Sequence, residues 1–257
     1  MQKYKIIAFA NQKGGVGKTT SAVNIASCLA KSKKKVLLID ADPQGNATSG
    51  LGINKRGGGG NVYDLIIGRV KANEAVAKTE FANLSVIPSS MNLVGAEIEL
   101  VDSENRENKL RDAIVSIRDE FDFIVIDCPP SLGLVTLNCL TAADGIVIPV
   151  LCEYYSLEGL SQLTRTIRYI KNGKNPSLEI IGVLLNMYDG RLTLTVQVME
   201  EIKKYFADKL FKKPIPRNIK LSEAPSYGQP IDVYDKYSKG ARAYEEVTNE
   251  LVERCNA

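Results

Sequence analysis

The chain of 257 residues contains no histidine. That absence excludes serine–histidine–aspartate triads, histidine-ligated metals and imidazole general bases, so any catalysis must run on carboxylates, lysines and a bound cation. Cysteine is sparse in pattern if not in number. The five cysteines, Cys28, Cys128, Cys139, Cys152 and Cys255, are odd in count and form no C-x-x-C pair, which predicts reduced thiols. Long apolar runs are missing as well: the longest uncharged stretch, residues 128–143, is interrupted by Pro129, Pro130 and Gly133 and is too short to cross a bilayer. Met1 to Tyr4 is too short for a signal peptide. Together these absences predict a soluble, cytoplasmic protein. No internal repeat is visible, and the one low-complexity stretch, the four glycines at 57–60, reads as a flexible loop.

What is present fits one α/β domain spanning residues 1–257. Hydrophobic residues make up 44% and charged residues 25%, enough apolar side chain for a large core. The net charge is only +3, but it is unevenly spread. Residues 165–220 hold 12 Lys/Arg against 5 Asp/Glu, a local balance of +7 that leaves −4 for the rest. Folded onto one side, those charges would attract phosphates; scattered, they are ordinary solvated lysines.

The chain is organised around KIIAFANQKGGVGKTT, residues 5–20. An apolar run from Ile6 to Ala10 has the pattern of a strand buried on both faces of a parallel sheet, and Ala22, Val23, Ala26, Leu29 and Ala30 then recur at helical spacing. The glycine-rich turn between them is a phosphate cradle. Gly14, Gly15, Val16 and Gly17 curl the backbone so that successive N–H groups converge at a helix N-terminus, where the dipole adds positive charge. Lys18 is predicted to reach the β- and γ-phosphates of a nucleotide, Thr19 to give its hydroxyl to Mg²⁺, and Thr20 to continue the phosphate contacts. The usual first glycine of a G-x-x-x-x-G-K-[ST] loop is replaced by Gln12, and an extra lysine, Lys13, follows it.

Strand and helix alternate after the loop. VLLID (36–40) reads as a second buried strand with Asp40 and Asp42 just beyond its end, where open α/β sheets bind ligands; Asp42 is the candidate for orienting an attacking water, and Asp40 for supporting the metal's water ligands. FIVID (123–127) has the Walker B pattern, with Asp127 predicted to hold Mg²⁺ through a water. The expected fold is therefore a single-domain P-loop NTPase, a mostly parallel twisted sheet with helices on both faces. Residues 93–118 are expected to form one long surface helix, and Asp144 to cap or terminate a helix before the strand GIVIPV. Asn186, after the strand at 180–185, is a candidate adenine contact. The last amphipathic helix, about 240–255, carries Glu245, Glu246, Glu250 and Glu253 on its polar face, so an anionic membrane should repel it.

Taken together, NQKGGVGKTT, VLLIDADPQGNATSGLG, IVIDCPPSLGL, CEYYSLEGL and IPRNIKLSEAPSYGQPI resemble the chromosomal ParA/Soj branch of the deviant-Walker-A ATPases, nearly end to end. The resemblance implies ATP and Mg²⁺ as cofactors and an ATP-dependent homodimer in which Lys13 of each protomer reaches the partner's phosphates, so that Lys13, Lys18 and Asp42 form the catalytic set. It also implies adenine contacts at Pro216 and Asn218, and binding to double-stranded DNA without sequence preference through Arg191 and Lys220. A ParB/Spo0J-type protein would stimulate a slow hydrolysis, and the protein would associate with the nucleoid. The whole describes a chromosome- or plasmid-partitioning switch. Two alternatives remain open. A MinD-like membrane ATPase of division-site placement would want a basic amphipathic C-terminal helix, and a reductase bridging an iron–sulfur cluster would need two cysteines per protomer from Cys128 and Cys139 or Cys152.

Overall fold

The computed structural model describes residues 5–55, 57, 59–153 and 156–256. Residues 1–4, Gly58 of the glycine run, and Tyr154 and Tyr155 of the CEYYSLEGL block lie outside the described residues. Seven strands form one sheet: β1 (Ile6–Phe9), β2 (Val36–Asp40), β3 (Ala77–Lys78), β4 (Leu84–Ile87), β5 (Phe123–Asp127), β6 (Gly145–Leu151) and β7 (Glu179–Asn186). Their order is β3-β4-β2-β5-β1-β6-β7, all parallel except the short edge strand β3, which runs antiparallel to β4.

The continuous apolar runs follow from burial on both sides. Ile6, Ala8, Leu37, Ile39, Ile124 and Ile126 face one core, whereas Ile7, Phe9, Val36, Leu38, Phe123 and Val125 face the other. Successive side chains of a strand alternate faces, so neither face can be polar. Each fully buried Leu, Ile or Phe contributes about 1.5–3 kcal/mol relative to exposure. The helices Lys18–Lys31 and Lys239–Asn256 pack together on the second face.

Parallel strands reached by crossover helices align their C-terminal ends on one edge. β2, β5 and β1 are neighbours, and Asp40 pairs in register with Asp127, which pairs with Phe9. The two strand-ending acids and the start of the glycine loop are thus brought side by side by sheet register alone.

Two expectations need correction. Residues 93–118 are not one helix but a helix Leu93–Glu99, a turn segment, a helix Lys109–Ile114 and a 3-10 turn Arg118–Glu120. Asp102, Ser103 and Asn105 compete with helical hydrogen bonding, acids disfavour a helix C-terminus, and Asn105 adopts a left-handed φ of 52°. Asp144 does follow the end of the helix Leu134–Ala142, but its side chain does not cap it. Its carboxylate accepts the N–H groups of Lys5 and Ile6, at 2.9 and 2.8 Å, and pairs with Arg118 at 3.1 Å, anchoring the start of β1.

Candidate functional site

The loop after β1 closes onto the N-terminus of Lys18–Lys31. Gly17 precedes that helix with φ 85°, and a Cβ there would stand 2.6 Å from the Asn186 amide nitrogen. Conformation and space both require glycine. Asn186, at the end of β7, donates from Nδ2 to the Val16 carbonyl at 2.8 Å and to Ser21 Oγ at 3.1 Å, so the sheet's far strand clamps the loop. Its Oδ1 is buried without a hydrogen-bond partner.

Lys18 is buried, and its Nζ donates to the Lys13 carbonyl at 3.1 Å, curling back over the loop. Burial lowers its pKa from the ordinary ammonium value, opposed by the charges of Asp127, Cys128 and Asp42. Lys13 is placed differently. Its backbone N–H donates to Asn11 Oδ1 at 3.0 Å, while its ammonium leaves the loop to pair with Glu153 at 2.5 Å.

The three acids have distinct surroundings. Asp40 is fully buried, and its Oδ2 accepts from Thr48 N–H at 2.7 Å and the Thr48 hydroxyl at 2.6 Å, while Oδ1 accepts the Asp42 N–H at 3.3 Å. Asp42 caps its own turn by accepting the Gln44 N–H at 2.9 Å. Asp127 is also fully buried, yet neither of its oxygens accepts a hydrogen bond. Burial and then the Asp40 carboxylate push its pKa well above the usual range; Thr19 and Lys18, close by, pull it down. A buried orphan carboxylate of this kind costs about 1–3 kcal/mol unless something supplies donors. A hydrated divalent cation beside a polyphosphate does so, and Thr19 on the adjoining helix turn offers the hydroxyl such a cation takes. The residues present therefore fit Mg²⁺. Among the described residues no group of three or more acid or thiol side chains is gathered to hold a metal ion by itself.

Beside the loop opens a cavity of about 480 Å³, lined by Gly17, Thr20, Asn186, Ile215, Pro216 and Asn218, among others. The predicted adenine contacts are thus brought together. Asn218 accepts the Lys220 N–H at 2.9 Å and caps the helix Ile219–Glu223, which fixes the cavity wall. Tyr244 of the final helix lies at its floor, hydrogen-bonded to Ser21 at 3.2 Å. Tyr244 was not among the candidate site residues. Nor were Thr48 and Glu153, whose partners lie 8 and 140 residues away, at distances no local pattern reports.

Arg191 lies on the loop after β7 and Lys220 on the helix that Asn218 caps; neither lines the cavity. Both are engaged. The Arg191 guanidinium forks onto Asp189 at 2.8 and 2.6 Å, and Lys220 pairs with Glu223 at 2.9 Å. In the same basic segment Lys203 pairs with Glu200, Lys204 with Glu201 and Lys213 with Glu246.

A family model described as an AAA domain matches residues 4–180. The chain is 54% identical over 247 residues to the sporulation initiation inhibitor protein Soj of Bacillus subtilis, a match covering 96% of this chain and 98% of that one. It is 50% identical over 250 residues to the chromosome partitioning protein ParA of Myxococcus xanthus, covering 97% and 88% respectively. The chain belongs to the ParA/Soj family of chromosome-partitioning ATPases. Among solved structures, cobyrinic acid a,c-diamide synthase from Mycobacterium smegmatis with bound ADP and magnesium superposes with a TM-score of 0.84 at 35% identity, covering 95% of this chain and 92% of that one. Membership agrees with the P-loop, the strand-end acids and the mostly parallel sheet.

The alternatives fare poorly on geometry. Cys128 and Cys139 are both fully buried, out of reach of a cluster shared between protomers. The C-terminal helix buries Tyr244, Val247, Leu251 and Cys255 against its own sheet, and Arg254 ties it down through the carbonyls of Ile181, Lys209 and Leu210. Its apolar side is already occupied. No helix among the described residues is long and apolar enough to cross a membrane.

Proposed function

We propose that the chain is an ATP-dependent dimerising switch that binds double-stranded DNA without sequence preference and hydrolyses ATP under stimulation by a ParB-type protein, thereby driving chromosome or plasmid partitioning. The observation that carries this reading is the placement of Lys13. The loop already has its phosphate lysine in Lys18; the second lysine directs its ammonium outward to Glu153. A cation presented at the mouth of the loop and not inside it suits a phosphate held by a second protomer, where it would neutralise charge developing on the transferred phosphoryl.

Within one protomer, the loop amides of residues 13–19 and Lys18 hold the phosphates, and Asn186, Pro216 and Asn218 line the base pocket. Thr19 through its hydroxyl, and Asp127 and Asp40 through water, would hold Mg²⁺, which when bound would neutralise phosphate charge. Asp42, at the open edge of the sheet, orients the attacking water. Lys220 lies on the helix whose Ile219 and Leu221 line the base pocket, so nucleotide occupancy and the DNA contact proposed for Lys220 share one element.

Binding to random-sequence duplex DNA, measured with ATP, with ADP and without nucleotide across a salt series, tests the reading. Affinity restricted to the ATP state and falling steeply with salt is expected, because lysine and arginine release counterions from phosphates. Asp42→Ala should retain the ATP-bound, DNA-bound state while turnover is lost. Equal DNA affinity in all three nucleotide states would overturn the switch.

A further inference from the structure

The turn that follows β2 carries the acid assigned to the attacking water, and much of its hydrogen bonding is internal. Asp42 spends Oδ1 on the Gln44 N–H at 2.9 Å, and its carbonyl accepts the Gly45 N–H at 2.8 Å. Beyond the turn, Thr48 is bound to the neighbouring Asp40. Gln44 is also held from outside. Lys55, 11 residues along the chain, donates from Nζ to the Gln44 carbonyl at 2.5 Å.

The lysine stem is seated as well as its head. Gly45 precedes the helix Asn46–Gly50 with φ 61°, and a Cβ there would meet Cε, Cδ and Cγ of Lys55 at 3.0, 3.1 and 3.5 Å. The methylenes therefore lie along a bare, buried glycine while the ammonium reaches the carbonyl just before it. Lys13, Arg191 and Lys220 each hold an acid; Lys55 holds a backbone oxygen.

Gln44 is thus gripped at both of its polar groups, its N–H by the Asp42 carboxylate and its carbonyl by Lys55. A carboxylate that aligns water is placed only as well as the donor that aligns it, and a misplacement of about 1 Å can cost about 100-fold in rate.

We propose that Lys55 is a positioning residue for ATP hydrolysis, fixing the Asp42 carboxylate by way of Gln44. This rests on the water-orienting role given to Asp42 in the function proposed above. The Lys55 ammonium acts on a backbone carbonyl and not on the nucleotide. Its loss frees the Gln44–Gly45 peptide to rotate, and the Gln44 N–H that orients Asp42 shifts with it. Nucleotide binding, which lies with Lys18 and the glycine loop, is left as it was.

Two variants separate the charge from the stem. Lys55→Met keeps an apolar stem on Gly45 and removes the ammonium, whereas Lys55→Arg keeps both. Position 55 is exposed, so both should fold, and an unchanged melting curve checks it. Lys55→Met should lower kcat for ATP at least fivefold with KM within twofold of wild type, and Lys55→Arg should keep at least half of the wild-type kcat. An unchanged kcat in Lys55→Met, a loss carried by KM, or a Lys55→Arg as slow as Lys55→Met overturns the proposal.

Amide exchange followed by NMR reads the same contact without turnover. In Lys55→Met the Gln44 and Gly45 amides, both bonded to Asp42, should exchange at least fivefold faster than in wild type, with the Thr48 and Leu51 amides unchanged. Equal exchange at Gln44 and Gly45 overturns the proposal. Asp42→Ala tells the two readings apart. An inactive Asp42→Ala beside a fully active Lys55→Met overturns the positioning role alone, whereas wild-type turnover in Asp42→Ala overturns the role of Asp42 and the positioning role with it.

Discussion

The buried pocket at the strand ends and the exposed rim beside it handle charge in opposite ways. At the strand ends Asp127 is sealed from water with both oxygens unpartnered, and Lys18 is desolvated in the same pocket. On the rim every cation assigned to an external phosphate already holds an acid: Lys13 has Glu153, Arg191 has Asp189 and Lys220 has Glu223. The first arrangement is incomplete without a ligand and so should bind strongly. The second is complete without one, so a phosphate must displace a carboxylate, and binding there should be weak, additive and sensitive to salt. That division suits a switch in which nucleotide binding is committed and DNA binding is readily reversed.

The largest effect expected from this comparison is at the loop. Lys18→Ala removes the one ammonium inside the pocket and should weaken binding of a fluorescent ATP analogue by about 100-fold or more. Near-normal binding would mean that the pocket does not depend on its buried charge. Next comes the support of Asp40. Thr48→Val deletes the hydroxyl that donates to Asp40 at 2.6 Å and that accepts the Ser89 N–H at 3.0 Å, leaving a buried carboxylate short of a donor. The expected loss is about 1–3 kcal/mol in urea unfolding, with Thr48→Ser restoring most of it. An unchanged midpoint would place the stabilisation of Asp40 elsewhere.

On the rim, a charge reversal should act on DNA alone. Arg191→Glu should cost about tenfold in ATP-dependent DNA affinity and lower the salt slope by about 1, with dimerisation on a sizing column intact. Loss of dimer and DNA binding together would move Arg191 from the DNA face to the protomer interface.

How much of this could be read from the chain varies with the range of the interaction. β2 and β5 were legible to the residue because each apolar run is closed by an acid that cannot continue into a buried strand. The glycine loop was legible because its chemistry is contiguous. Residues 93–118 were misread as one helix because charge and length suggested a surface helix, and the competition from Asp102, Ser103 and Asn105 was underweighted. Asp144 was misread as a cap because its partners, Lys5 and Ile6, lie 138 or more residues away and meet it only through the β1–β6 pairing. Lys13–Glu153 was beyond reach for the same reason. Lys220–Glu223 was not: an acid three residues after a lysine on a helix is a local pattern, and it gives the lysine proposed to meet DNA its own counter-charge.

That counter-charge supports the smallest and most pointed prediction. Asp189 holds Arg191 in a two-point fork, the geometry a DNA phosphate would also use, and this pairing lowers the Asp189 pKa to about 2. The carboxylate therefore stays ionised throughout the physiological range and, under the proposed function, would compete with DNA at every working pH. Asp189→Asn keeps the size and one acceptor but removes the charge, which should tighten DNA binding by about two- to fivefold, since exposed pairs of this kind are weak. The gain should shrink as salt rises, because the same ions that screen DNA screen the pair. It should also appear with ADP as a small residual affinity that wild type lacks. A loss of affinity in Asp189→Asn would reverse the assignment: the carboxylate would then be orienting Arg191 for DNA rather than competing with it, and the rim would be as pre-organised as the pocket.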